Sequence, residues 1–116
     1  EIGKHMNKET IFCERIKGEF KLRRDFSLQK NQKVLIIEDV ITTGKSSLEC
    51  AKLIKKAKAS LVGFAAIIDR SSKQSLKIKK NIISHLKINV ATYKSNNLPK
   101  ELKIIPITTP GSRFIK

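Results

Sequence analysis

The sequence predicts an α/β fold: an open, mostly parallel sheet flanked by helices, in a single domain. Two apolar runs carry this reading, Val34 to Ile37 and Ser60 to Ile68. Both are hydrophobic on successive residues and rich in β-branched side chains, the pattern of strands buried inside a parallel sheet. Between them, from about Ser46 to Lys58, lies an amphipathic segment with Leu48, Ala51, Leu53, Ile54 and Ala57 as its apolar stripe. A strand–helix–strand unit of this length implies a right-handed parallel crossover.

The remaining elements follow in chain order. Glu1 to Asn7 reads as the tail of a helix and Lys8 to Cys13 as a short strand. Residues 14–30 are basic and alternate around Gly18, with Phe20 and Leu22 set against Lys21 and Arg23, which predicts a hairpin or mobile arm. Ser71 to Lys80 is polar and lysine-rich, a loop running into a short helix. Leu86 to Tyr93 alternates as a strand does, with Tyr93 as a packing residue. Leu98 to Pro106 reads as a linker or as a short helix plus turn.

Composition excludes several classes of function. The 116 residues have the length of one domain, 40% are hydrophobic, and no apolar run approaches a membrane span. There is no secretory signal pattern. The two cysteines, Cys13 and Cys50, form no ligand cluster with His5 or His85, so a reducing, cytoplasmic setting is expected and the histidines receive no role. The net charge of +15 comes mostly from lysines dispersed between Lys4 and Lys116, and the aromatics are five Phe and one Tyr. A base-stacking platform needs interleaved aromatics, so no dedicated nucleic-acid role is expected, only weak polyanion binding at low salt. The same field favours small anionic substrates.

Chemistry concentrates in residues 34–47. Glu38 and Asp39 stand at the C-terminal end of the first apolar run, followed by Thr42-Thr43-Gly44-Lys45-Ser46-Ser47. A loop opening a helix presents unpaired N–H groups at the positive end of the macrodipole, which suits a phosphate. The threonine and serine hydroxyls add donors, and Gly44 allows close backbone approach. Carboxylates repel phosphate, so Glu38 and Asp39 face another group: the vicinal hydroxyls of a ribose, or Mg²⁺ held through them or through water. A phosphate beside a diol describes a ribose 5-phosphate. The stretch is not a P-loop, because only Gly44 precedes Lys45 and position 39 is Asp. The structural alternative is an ordinary strand end and loop of a doubly wound protein with another ligand.

This stretch resembles the phosphoribosyl-pyrophosphate (PRPP) motif of type I phosphoribosyltransferases, whose core is Rossmann-like. The wording Glu38-Asp39-Val40-Ile41-Thr42-Thr43-Gly44 is similar to that of orotate phosphoribosyltransferases, with Lys45 a departure from the small residue often found there. The resemblance implies PRPP binding by Glu38, Asp39, Val40, Ile41, Thr42, Thr43, Gly44, Lys45 and Ser46, with Mg²⁺ required but no residue assigned as a direct metal ligand. It implies that Asp69-Arg70, at the end of the second apolar run, supplies Arg70 to orotate, with Thr42 as a second contact. The alternative for Arg70 is a salt bridge to Asp69 or Glu38. The basic segment resembles the family's catalytic loop, so Arg15, Arg23 and Arg24 are expected to stabilise departing pyrophosphate, against the alternative of a solvated hairpin. Pro110-Gly111-Ser112-Arg113 resembles a C-terminal signature of the same enzymes.

The implied reaction transfers the 5-phosphoribosyl group of PRPP to orotate in pyrimidine synthesis, in a homodimer. The N-terminal hood, first core strand and pyrophosphate loop of the family do not precede these residues, so an N-terminally incomplete domain is expected. Two rivals stand beside this reading: a phosphoribosyltransferase for another nucleobase, and a non-catalytic PRPP-sensing regulator.

Overall fold

Helix α2 (Lys45–Lys56) organises the chain, with a parallel sheet on one side and a short hairpin on another. The computed structural model describes residues 1–23, 26–73, 75–91 and 93–106. Around α2 the order is α1 (Ile2–His5), β1 (Cys13–Ile16), β2 (Glu19–Leu22), β3 (Lys33–Ile41), β4 (Ser60–Asp69), β5 (Ile82–Lys87), a 3₁₀ turn (Ser95–Asn97) and α3 (Lys100–Lys103). The open, parallel α/β fold read from the sequence is present: β3, β4 and β5 form one sheet in that order, with both pairings parallel.

The core lies between this sheet and α2. Ile36, Ile41, Phe64, Ala66 and Ile78 meet Ile54 of the helix, with Leu48, Ala51, Leu61 and Ile82 packed around them. Each large side chain buried here contributes about 1.5–3 kcal/mol. The predicted stripe divides in two. Leu48, Ala51 and Ile54 face the sheet, whereas Leu53 and Ala57 line a shallow groove with Phe20 and Leu22 of the hairpin. α2 ends at Lys56, with Ala57 as its C-cap. Lys58 is left-handed there (φ 57°), and the Lys58 and Ala59 amides donate back to Lys55 and Ile54, a Schellman arrangement completed without the usual glycine.

β1 and β2 are antiparallel, with Cys13 opposite Leu22 and Ile16 opposite Glu19. Lys17 (φ 50°) and Gly18 (φ 87°) form their two-residue turn. Positive φ at both positions gives the twist that matches a right-handed hairpin. The hairpin expected around Gly18 is therefore present and rests on α2. The separate short strand expected over Lys8 to Cys13 is not formed; the hairpin's first strand begins at Cys13, one residue before the basic segment. Among the described residues no strand pairs with 8–12; the Phe12 carbonyl accepts the Arg23 amide at 3.3 Å, and the Phe12 ring meets that of Phe26 edge-on at 5.4 Å.

Other expectations are corrected. β3 extends from Lys33 to Ile41, well beyond Val34 to Ile37, because it keeps its pairing with β4 as far as Ile41↔Asp69. It is covered on one side only. Leu35 is 38% and Ile37 40% exposed, and Ile83, in line with Ile37 through Ala65, is 75% exposed. The last strand among the described residues is Ile82–Lys87, not Leu86 to Tyr93; pairing with β4, rather than alternation, decides it. Tyr93 is half-exposed and does not pack in the core. The described residues of Ser71 to Lys80 form no helix; a Ser72–Ser75 hydroxyl turn starts the segment and Ile78 anchors it. The short helix plus turn at Leu98 to Pro106 is present as α3. Among the described residues no helix is long and apolar enough to cross a membrane.

Candidate active site

Two parallel strands and one helix end converge at a single edge. Glu38 and Asp39 lie in the second half of β3, Glu38 half-buried and Asp39 exposed. The register Val40↔Ile68 and Ile41↔Asp69 brings the end of β4 level with them, so that Arg70 follows at the same edge. Its amide donates to the Ile41 carbonyl at 2.8 Å. The Ile41 side chain is 2% exposed and belongs to the core, so its place in the site is as the backbone partner of Arg70. Arg70 is exposed and makes no ion pair among the described residues.

Asp69, expected as one possible partner of Arg70, is engaged elsewhere. Its carboxylate accepts the Ser71 amide at 2.8 Å and lies 3.2 Å from Lys87 Nζ. Burial alone opposes its charge, but the Ser71 and Lys87 bonds outweigh burial and hold the carboxyl below its usual range. The Asp-Arg pair thus divides its work, the acid turning inward to fix the loop and the guanidinium remaining free.

The Thr42–Gly44 loop leads into α2. Thr42 and Thr43 are exposed, as is Lys45, the first residue of the helix; Val40 is 38% exposed and Ser46 half-buried. Gly44 is the N-cap, left-handed at φ 71°. The Leu48 amide returns to the Gly44 carbonyl at 2.9 Å, while the amides of Ser46 and Ser47 have no partner among the described residues. Those donors and the helix dipole form an anion-binding end.

Two features of this loop escaped sequence reasoning. A Cβ at Gly44 would stand 2.7 Å from Ile78 Cδ1 and Cγ1, so the glycine admits a buried isoleucine as well as a turn. The Lys77 amide also donates to the Thr43 carbonyl at 3.0 Å, which seats residues 76–78 beneath the loop. Leu76 and Ile78, apolar at alternate positions in a lysine-rich stretch, were the available signal. The second feature is Ser47. Grouped with the phosphate-facing hydroxyls in the sequence, it is 1% exposed, and its Oγ donates to Glu38 Oε1 at 2.9 Å.

The basic side chains of the hairpin lie to one side. The Arg15 guanidinium pairs with Glu49 of α2 at 2.7 Å, donates to the Gly18 carbonyl and stacks 4.3 Å from the Phe20 ring centroid. Arg23 lies 5.2 Å from the centroid of Phe12. Arg24 lies outside the described residues, as does Pro110-Gly111-Ser112-Arg113. Cys13 of β1 and Cys50 of α2 are both free and half-buried. Burial, reinforced by Cys13, pushes the Cys50 thiol up to about 12, so it is protonated and inert at neutral pH.

The acidic pair suits Mg²⁺ in one particular way. Among the described residues no group of three or more His, Cys, Asp or Glu side chains forms a cage for a metal. Glu38 keeps one oxygen clear of Ser47, and Asp39 is exposed. Mg²⁺ characteristically uses one or two carboxylates and completes its shell with water and substrate phosphates, so this donor set fits an ion that arrives with an anionic ligand.

Comparison with known proteins agrees with this geometry. Residues 5–112 match the phosphoribosyl transferase domain. The chain is 42% identical over 116 residues to the orotate phosphoribosyltransferase of Caulobacter vibrioides (strain NA1000 / CB15N), covering 100% of this chain and 59% of that protein. It is 42% identical over 115 residues to the orotate phosphoribosyltransferase of Parvibaculum lavamentivorans, covering 99% and 59%. The orotate phosphoribosyltransferase of Phenylobacterium zucineum (strain HLK1) is 39% identical over 116 residues, covering 100% and 59%. The chain therefore spans 59% of the length of these curated relatives. Among solved structures, adenine phosphoribosyltransferase from Thermoanaerobacter pseudethanolicus ATCC 33223 superposes on 75% of this chain and 60% of its own, with a TM-score of 0.56 at 14% identity, a likeness of fold.

Proposed function

The chain belongs to the phosphoribosyl transferase domain family, and we propose that it carries the PRPP and orotate sites of an orotate phosphoribosyltransferase, a cytoplasmic, homodimeric pentosyltransferase. The observation that carries this reading is the parallel register Ile41↔Asp69, which sets Arg70 at the same edge as the acidic pair and the start of α2. The names of the relatives supply orotate and phosphoribosyl transfer; in this reading 5-phosphoribosyl passes from PRPP to orotate, giving orotidine 5′-monophosphate and pyrophosphate.

In this reading the free amides of Ser46 and Ser47 and the hydroxyls of Thr42, Thr43 and Ser46 hold the 5′-phosphate, and Lys45 adds a cation beside it. Glu38 and Asp39 hold the ribose hydroxyls. Orotate nitrogen attacks the anomeric carbon as the bond to pyrophosphate breaks. Positive charge gathers on the ring meanwhile, and the carboxylate of Asp39 stabilises it. Bound Mg²⁺ supplies neutralisation of the pyrophosphate charge. Arg70 presents a planar, permanently charged donor to the orotate carboxylate, with Thr42 beside it. Arg15 exchanges Glu49 for pyrophosphate oxygens, and Arg23 and Arg24 act in the same basic segment. No protein nucleophile is required; the protein positions and stabilises charge.

The test is PRPP- and Mg²⁺-dependent consumption of orotate, with PRPP binding measured separately by calorimetry, for wild type and Arg70→Ala. The expected result is orotate affinity lowered about 30- to 100-fold in the variant with PRPP affinity unchanged. PRPP binding without turnover of orotate would refute the enzyme reading.

A further inference from the structure

Ser47 stands outside the residues that the motif assigns to a ligand, yet it is the most enclosed polar side chain at the site, 1% exposed. Its hydroxyl meets Glu38 Oε1 at 2.9 Å, across nine positions of sequence that contain the whole loop. We propose that Ser47 is a positioning residue: its bond to Glu38 clasps the end of β3 to the first turn of α2 and sets the separation between the diol-holding carboxylate and the phosphate-holding helix end. The inference rests on the ribose-phosphate reading given above.

Glutamate has three rotatable side-chain bonds, and at a half-exposed strand end they are free unless something holds them. A hydroxyl donating to an ionised carboxylate is among the stronger hydrogen bonds, and here burial shields it from water. One carboxylate oxygen is thereby committed to Ser47, and the other is left for the diol. The helix itself gains little from this serine. Gly44, not Ser47, is the N-cap, and serine is a poorer interior helix residue than alanine. An alanine at position 47 therefore keeps α2 while freeing Glu38. The rest of the clasp is backbone: Gly44 turns the loop, and the Lys77 amide holds Thr43.

The test is a double-mutant cycle on the 116-residue chain with Ser47→Ala, Glu38→Ala and both together. Calorimetry measures PRPP with Mg²⁺, ribose 5-phosphate and inorganic phosphate, and thermal melts follow the fold. Ser47→Ala is expected to weaken both ribose ligands about 5- to 20-fold, to leave inorganic phosphate within about twofold, and to move the melting temperature by no more than about 3 °C. In the Glu38→Ala background the same substitution should have no further effect on ribose ligands. Equal losses in both backgrounds, equal losses on inorganic phosphate, or no loss at all would overturn the positioning role and leave the ribose-phosphate reading standing. A wild-type chain that binds neither PRPP nor ribose 5-phosphate would overturn that reading, and this inference with it.

Discussion

Replacing Gly44 with alanine places one methyl group where the fold has room for none. At φ 71° the residue is left-handed, which costs an L-amino acid about 1–2 kcal/mol. The new Cβ would also lie 2.7 Å from two carbons of Ile78, whose side chain is 5% exposed and cannot swing into solvent. Displacing a packed core side chain by this much costs a further 1–3 kcal/mol or so. The sum, about 2–5 kcal/mol, is a large part of the stability of a domain this size. Urea unfolding followed by far-UV circular dichroism should show a lower midpoint with an unchanged slope, and the melting temperature should fall by roughly 10–20 °C. Because the two costs have different origins, they separate. In an Ile78→Ala background, which removes both clashing atoms, Gly44→Ala should cost only the backbone share of about 1–2 kcal/mol. A wild-type cost below about 1 kcal/mol, or the same cost in both backgrounds, would refute the reasoning.

Two further outcomes follow from features outside the loop. Asp69 is held below its usual carboxyl range, so its contribution to stability is complete above the unfolded value of 3.8 and is lost as pH falls through the folded one. Wild-type stability should accordingly fall more steeply between pH 7 and pH 3 than that of Asp69→Asn, so that the gap between the two narrows in acid, and Lys87→Ala should cost about 1 kcal/mol at neutral pH, read from urea curves at pH 7 and pH 3. Ile83 is 75% exposed on the uncovered sheet face, so Ile83→Lys should change stability by no more than about 0.5 kcal/mol while lowering binding of a hydrophobic dye; a larger loss of stability would mean that the face is covered in solution.

How much of this was legible beforehand depends on how local each signal is. The β3–α2–β4 unit was readable because its strands are short apolar runs and its helix carries a continuous stripe, both patterns inherent in neighbouring residues. The Lys17-Gly18 turn was readable for the same reason. The boundaries of β1 and β5 were not, since they are set by partner strands: β5 is the part of 82–93 that lies level with Phe64 to Asp69. The reading of Val34 to Ile37 as buried on both faces failed because an apolar run records what a strand can bury, not what covers it.

The same division holds at the site. The types and order of groups, acidic pair, hydroxyl loop, helix start and Asp-Arg, are legible in the chain because each is carried within a few consecutive residues and its chemistry is intrinsic to the side chain. Their partners were chosen by three-dimensional packing. It gave Asp69 to Lys87 and left Arg70 without an ion pair among the described residues, drew Arg15 to Glu49, set Ile78 beneath Gly44 and turned the Ser47 hydroxyl to Glu38. Each of those is a contact between residues distant in the chain, where packing and parallel register, rather than local pattern, choose which atoms meet.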